Sequence, residues 1–317
     1  MIKKLITAVL PLLLMAESIY ALDLSVQPRF KTGIQYYEYE QKAFQSLPRD
    51  PERQFPNMLS SLEYKDWLPY VSGGLTVFAD RFFVDFDVQH AFDGHDQTDS
   101  SQQAFIIGDS VDTLLRFNNS NDTEFERTEW SVSLGFTVIE NLVVFGGYKN
   151  AETEFDVNMR GDVDITIFRA GDPAPPIGGP FTGKLEQSFE YDGPFVGAAY
   201  SWKIKQGFVD GALAFKFAAA FLDGSVDVNF RDIVIGNQPF DLQNLRESGG
   251  RSALSTLEGD STGFSLGASW RGLTPIDGLT YSAGIIGYYY EFDIDTSAEF
   301  NETQVRLDFG VAYTFGM

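Results

Sequence analysis

The sequence predicts an all-β protein, a closed antiparallel transmembrane β-barrel of about ten strands with long extracellular loops. Three observations carry this. Apolar and aromatic residues recur at every second position in segment after segment, which is the period of a strand. The links between those segments alternate between short and long. No stretch beyond the leader reaches the roughly 18–20 apolar residues of a membrane helix, although the chain carries 29 Phe, 14 Tyr and 4 Trp.

The N-terminal segment is read as a cleaved secretory signal peptide over residues 1–21. Lys3 and Lys4 precede an apolar run from Leu5 to Met15, and small residues follow up to Ala21. That apolar centre is too short to span a bilayer. Cleavage after Ala21 leaves the barrel as residues 22–317, with 21 basic and 44 acidic residues and a net charge of −23. Such acidity argues against nucleic acid as a partner. The absence of cysteine excludes a disulfide scaffold, thiol catalysis and cysteine zinc sites.

Strand-like segments then follow near 29–39, 67–79, 82–92, 128–139, 142–150, 194–202, 208–222, 262–270, 279–292 and 303–315. The third is the clearest. Phe82, Val84, Phe86, Val88, His90 and Phe92 share one face, and Phe83, Asp85, Asp87, Gln89 and Ala91 the other. The segment 208–222 is long enough for a buried helix. As a strand, however, it places Val209, Leu213, Phe215, Phe217 and Phe221 together and sets Asp210 and Lys216 among alanines opposite. Two further stretches, 157–168 and 225–235, are expected to be hairpin arms rising above the membrane.

Short links fall at Asp80-Arg81, Glu140-Asn141, 203–207 and 271–278, and long ones at 40–66, 93–127, 151–193 and 223–261. An even-stranded outer-membrane barrel has this pattern, with turns in the periplasm and loops outside. Lipid requires every backbone amide to be paired, so the sheet must return on itself. Tyr200, Trp202, Trp270, Tyr281, Tyr313 and Phe315 suit a periplasmic aromatic girdle, and Tyr36, Tyr148 and Tyr288 to Tyr290 an outer one. The ending Gly310-Val311-Ala312-Tyr313-Thr314-Phe315 is similar to the C-terminal signal of bacterial outer-membrane proteins, which implies recognition by the barrel assembly machinery.

Inward positions include Arg29, Lys31, Asp85, Asp87, Glu129, Lys149, Asp210, Lys216, Arg306 and Asp308. Mixed signs in a narrow lumen suggest ion pairs across it. Either a small selective pore or a plugged structural interior fits, since wide channels need about 16–18 strands. In the acidic segment 93–127, Asp93, Asp96 and Asp99 are the densest group and could hold Ca²⁺ or Mg²⁺ through carboxylate oxygens, although their spacing is not that of an EF-hand. No other cofactor is expected.

Strand number, mature length and loop pattern, with Leu62-Glu63-Tyr64-Lys65, Asp99-Ser100-Ser101 and Gly193-Pro194-Phe195-Val196-Gly197, resemble the omptins, ten-stranded outer-membrane proteases. That resemblance implies an aspartate pair in the second loop facing an Asp-x-His pair after strand seven, with water as nucleophile. Asp93 and Asp96 are spaced differently from the family's pair. Asp85 and Asp87 have the right spacing but lie inside a strand. After strand seven the match is Asp227-Val228-Asn229, with an amide where the histidine belongs, and no histidine follows His95. An amide cannot take a proton from water near neutral pH.

A serine–histidine hydrolase of the outer membrane would have to use His90 or His95 with Ser100, Ser101 or Ser131. The expectation is therefore a non-enzymatic barrel in the bacterial outer membrane, for surface binding or restricted passage of a small solute. Its partners would be membrane lipid and lipopolysaccharide, with cationic peptides or divalent ions as ligands. An omptin-like aspartate hydrolase is the alternative.

Overall fold

The computed structural model describes residues 24–45, 58–107, 111–169, 172–173, 177–206, 209–236, 238–239, 257–294 and 298–316. Residues 1–21, read as a signal peptide from the sequence, lie outside them. Ten long strands account for nearly all of the described chain. They are β1 Leu24–Gln45, β2 Met58–Ala79, β3 Phe82–Ile107, β4 Val111–Ile139 and β5 Leu142–Arg169, followed by β6 Ile177–Gln206, β7 Val209–Ile235, β8 Leu257–Leu273, β9 Leu279–Ile294 and β10 Ala298–Tyr313. Each pairs antiparallel with its sequence neighbours, and β10 pairs with β1 from Ala298 opposite Ala43 to Ala312 opposite Arg29. The pairings thus run round in a ring of ten.

Chain chemistry sets the short turns. Asp80 adopts a left-handed φ of 53°, which Asp tolerates better than most residues, so β2 and β3 join across Asp80-Arg81 alone. Gly278, at φ 78°, closes the turn into β9, and its carbonyl accepts from the Thr314 amide at 2.8 Å. Residues 209–222 of the stretch that could have been a helix belong to a single strand, β7, with Phe215, Phe217 and Phe221 exposed on one face.

The strands run to 30 residues, against about 9–11 needed to cross the hydrocarbon. What the sequence presents as long loops is largely strand. Residues 93–107 and 111–127 belong to the paired strands β3 and β4, and 157–168 and 225–235 extend β5 and β7. Ten long strands are therefore found among the described residues, as expected, and the long-loop assignment is corrected.

A change of solvent explains the difference. In the lower barrel the exposed face is apolar, with Phe30, Ile34, Phe82, Phe86, Leu134, Val196, Phe217, Leu266, Ile285 and Phe309 pointing outward. That belt is too large and continuous for a surface in water and marks the lipid contact. Higher up, the polarity inverts on the same strands. In β5, Val144 and Tyr148 point out below, whereas Ala151, Thr153, Phe155, Val157 and Met159 point in above, with Glu152, Glu154 and Asp156 outside. A wall that faces water buries its apolar side within, like any soluble sheet.

Candidate functional site

The interior is built in layers, taken here from the short-turn end upward. In the lowest, Arg29 of β1 reaches across to β3, pairing with both oxygens of Asp85 and, at 2.8 Å, with Asp87. Thr76 and Ser72 of β2 donate to the same carboxylates at 2.6 and 3.1 Å. Lys31 lies 3.5 Å from Asp308, neighbours once β1 and β10 pair. Lys216 extends into the lumen over the ring of Phe145, 4.8 Å from its centroid. It is solvent-exposed, as is Asp210 at the short-turn end of the same face, so water enters this layer.

The middle layer is buried. Arg306 donates to Glu129 at 2.9 Å and to Gln89 at 2.7 Å, and Gln89 donates onward to Gln35 at 2.8 Å. Glu129 also receives Lys149 at 3.4 Å and Arg127 at 3.3 Å. Above it, Glu302 is 0% exposed and accepts from Arg127 at 3.1 Å, Tyr191 at 3.0 Å and Tyr37 at 3.3 Å. Lys149 donates to Tyr290 at 2.7 Å. These side chains come from β1, β3, β4, β5, β6, β9 and β10, so the network ties opposite walls together.

The top layer is an aromatic plug. Tyr64 stacks on Phe125 at 5.2 Å between centroids, Phe125 meets Phe155 at 5.4 Å, and Phe155 meets Tyr39 at 5.2 Å. From Tyr39 the contacts continue to Phe189 at 5.7 Å and on to Phe292 at 4.8 Å. All of these rings are 2% exposed or less. The chain of rings crosses the lumen from β2 to β9.

Sequence reasoning placed Lys31, Asp85, Asp87, Lys216, Arg306 and Asp308 on inward faces, and all of them lie there. It missed Arg127 and Glu302, which it assigned to connections. The signal was present, because Arg127 continues the parity of Glu129, and Glu302 and Gln304 continue that of Arg306 and Asp308. Tyr288 and Tyr290 are also corrected. They share the inward face of β9, with Arg306 over the Tyr288 ring at 4.5 Å, so of the three only Tyr289 faces outward. Tyr36 and Tyr148 do stand at the outer rim, beside Trp67 and Trp130 at 5.4 and 6.3 Å.

Asp93, Asp96 and Asp99 lie along β3, Asp96 opposite Thr123 and Asp99 opposite Ser120, but their side chains fall outside the described residues. Among the described residues no three His, Asp or Glu side chains converge as a metal site would require. Asp227 and Asn229 are exposed on the outer face of β7, because their neighbour Val226 fills the inner one. On the inner side of this wall lies the aromatic plug, where Phe189 stands opposite Val226.

Above the rim the outer wall is acidic. Glu126 stands opposite Glu154, and Glu152 opposite Glu190. Asp223 stands opposite both Asp192 and Asp260. Partial burial, then the charges of Glu154, Glu190 and Glu126, raise the Glu152 carboxyl above the ordinary range. At the short-turn end the opposite occurs, where a 2.6 Å hydrogen bond from Lys203 lowers that of Glu140.

Ring, lipid belt and inverted upper wall together define a bacterial outer-membrane β-barrel of omptin-like, ten-stranded architecture. Among solved structures it is similar to the outer membrane protease OmpT from Escherichia coli, at a TM-score of 0.58 and 10% identity over 92% of this chain and 97% of that one. A Pseudomonas aeruginosa FadL homologue matches at a TM-score of 0.26, with 11% identity over 92% of this chain and 90% of its own. The translocator domain of the autotransporter NalP from Neisseria meningitidis matches at 0.22, with 8% identity over 98% and 95%. No protein-family model matches the chain, and no curated protein does. At such identities the likeness to OmpT is one of fold.

Proposed function

We propose that this protein is an outer-membrane barrel that works by binding at its outer wall above the lipid, with its lumen serving as structural support. The observation that carries this reading is the filled interior. Among the described residues a buried ion network and an aromatic plug span the lumen from wall to wall. Chemistry available to the outside is therefore that of the wall.

That wall presents carboxylates directly opposite one another on successive strands, an arrangement that costs stability unless something neutralises it. Cationic groups, whether of peptides or divalent ions at the lipopolysaccharide surface, supply that neutralisation. The expected ligand is thus a cation, drawn in by long-range attraction and released by salt.

The test is titration of a fluorescent oligolysine against protein folded in neutral-lipid vesicles. Binding should weaken steeply between about 0.01 and 1 M salt, as the screening length falls from roughly 30 to 3 Å. It should be lost when Glu152, Glu154, Asp223 and Asp260 are all changed to their amides. Binding that ignores both salt and these changes would refute the proposal.

A further inference from the structure

The outer wall holds a second feature, where the carboxylate surface meets the aromatic rim. His90, on the outward face of β3, stands directly opposite Thr128 of β4. Its Nδ1 is 3.2 Å from Thr128 Oγ1, and its Nε2 is 3.8 Å from Glu126 Oε1. The ring of Phe92 meets the imidazole edge-on, 5.2 Å away and at 90°, which limits its rotation. One neutral tautomer serves both contacts, with Nε2–H directed at the Glu126 carboxylate and Nδ1 accepting from the Thr128 hydroxyl.

Position matters as much as geometry. Thr128 and Glu126 continue the outward parity of Trp130, whose ring lies beside Tyr148 in the rim above the apolar belt. His90 and Thr128 thus sit one step above that rim and Glu126 two. In a bilayer this is the depth at which acyl esters join apolar chains to polar headgroups.

A hydroxyl, an imidazole and a carboxylate in series form an activated nucleophile, its base and the group that orients the base. We propose that Thr128, His90 and Glu126 form an acyl-transfer site on the lipid-facing wall, whose substrate class is the acyl ester of an outer-leaflet lipid. Thr128 Oγ attacks the ester carbonyl carbon while its proton passes to His90 Nδ1. The C–O bond to the lipid alcohol then breaks, and the alcohol leaves with that proton. Water attacks the resulting threonyl ester, giving a proton to His90, and collapse returns the proton to Thr128 and releases the fatty acid. Glu126 stabilises the imidazolium formed in each half. Glu152, directly opposite Thr128, places negative charge beside the developing oxyanion, so turnover is slow.

The test uses the folded full barrel in two kinds of vesicle, one of phosphatidylethanolamine and one containing lipopolysaccharide, with fatty-acid release measured in each. A fluorophosphonate probe, located by mass spectrometry, reports the nucleophile. Release in either vesicle and probe attachment at Thr128 are expected. Thr128→Ala should bring both to background, Thr128→Ser should retain them, and His90→Ala should lower release by about 10²–10⁴-fold. Glu126→Gln should slow release and shift its pH profile. All three positions face outward from the wall, and heat-modifiable migration on a gel verifies that each variant has folded. No release by folded protein in either vesicle, or undiminished release by Thr128→Ala, would overturn the proposal.

Discussion

Replacing Glu302 with Gln should destabilise the barrel more than any other single loss of charge. Glu302 is 0% exposed and receives Arg127, Tyr191 and Tyr37 at 3.0–3.3 Å. At an effective dielectric constant near 20, the Arg127 contact alone corresponds to about 5 kcal/mol of Coulomb attraction. Gln keeps an acceptor for the tyrosines and leaves Arg127 the carboxylate of Glu129, at 3.3 Å. Most of the penalty of an uncompensated buried cation remains, and removal of one partner of such a pair costs about 3–5 kcal/mol. Equilibrium urea unfolding in vesicles, followed by tryptophan fluorescence, measures it. Glu291→Gln, on the outer face of the neighbouring strand β9, is the control and should stay within about 0.5 kcal/mol. A cost below about 1 kcal/mol for Glu302→Gln would mean that the middle layer is hydrated, and the reasoning would fail.

Three further outcomes follow from the same geometry. Phe86→Arg or Leu134→Arg, on the lipid belt, should cost about 2–4 kcal/mol near the midplane, whereas Ser133→Arg should cost less, because it points inward opposite Asp85; the reverse order in a refolding titration would exchange the two faces. Asn229→His should create no peptidase activity in a basic-peptide cleavage assay, since that side chain is on the outside of β7; turnover would show that the wall is misassigned. Glu152→Gln should stabilise by up to about 1 kcal/mol at neutral pH and low salt. The raised carboxyl makes its charged form unfavourable in the fold, so the wild-type deficit is greatest above the folded pKa and disappears as pH falls through it; a melting series over pH with no such convergence would contradict the assignment.

How far the sequence discloses this molecule depends on the solvent beside each strand. Within the lipid belt, Phe82 to Phe92 alternate so cleanly that strand, face and inward aspartates can all be read directly. Above the rim the apolar parity changes sides. Glu152, Glu154 and Asp156 then look like loop charges, although Phe155 and Val157 between them continue the same period. Reading apolar residues as outward ends each strand too early, which is why Arg127 and Glu302 were assigned to connections. The plug escaped notice for a different reason. Tyr39, Tyr64, Phe125, Phe155, Phe189 and Phe292 come from six strands, and only the ring topology brings them together. The contact of His90 with Thr128 depends on the β3–β4 register, which periodicity does not supply.

The central claim is that the lumen is sealed by the Arg127–Glu302 network and the aromatic plug above it. Conductance of single purified barrels in a planar bilayer tests this most directly. The sealed interior predicts a baseline without stable steps at any moderate voltage, and steps only after bulky rings are removed together, as in Phe125→Ala with Phe155→Ala and Phe189→Ala. Regular, ion-sized openings by the unmodified protein would contradict the account and make passage through the lumen its function.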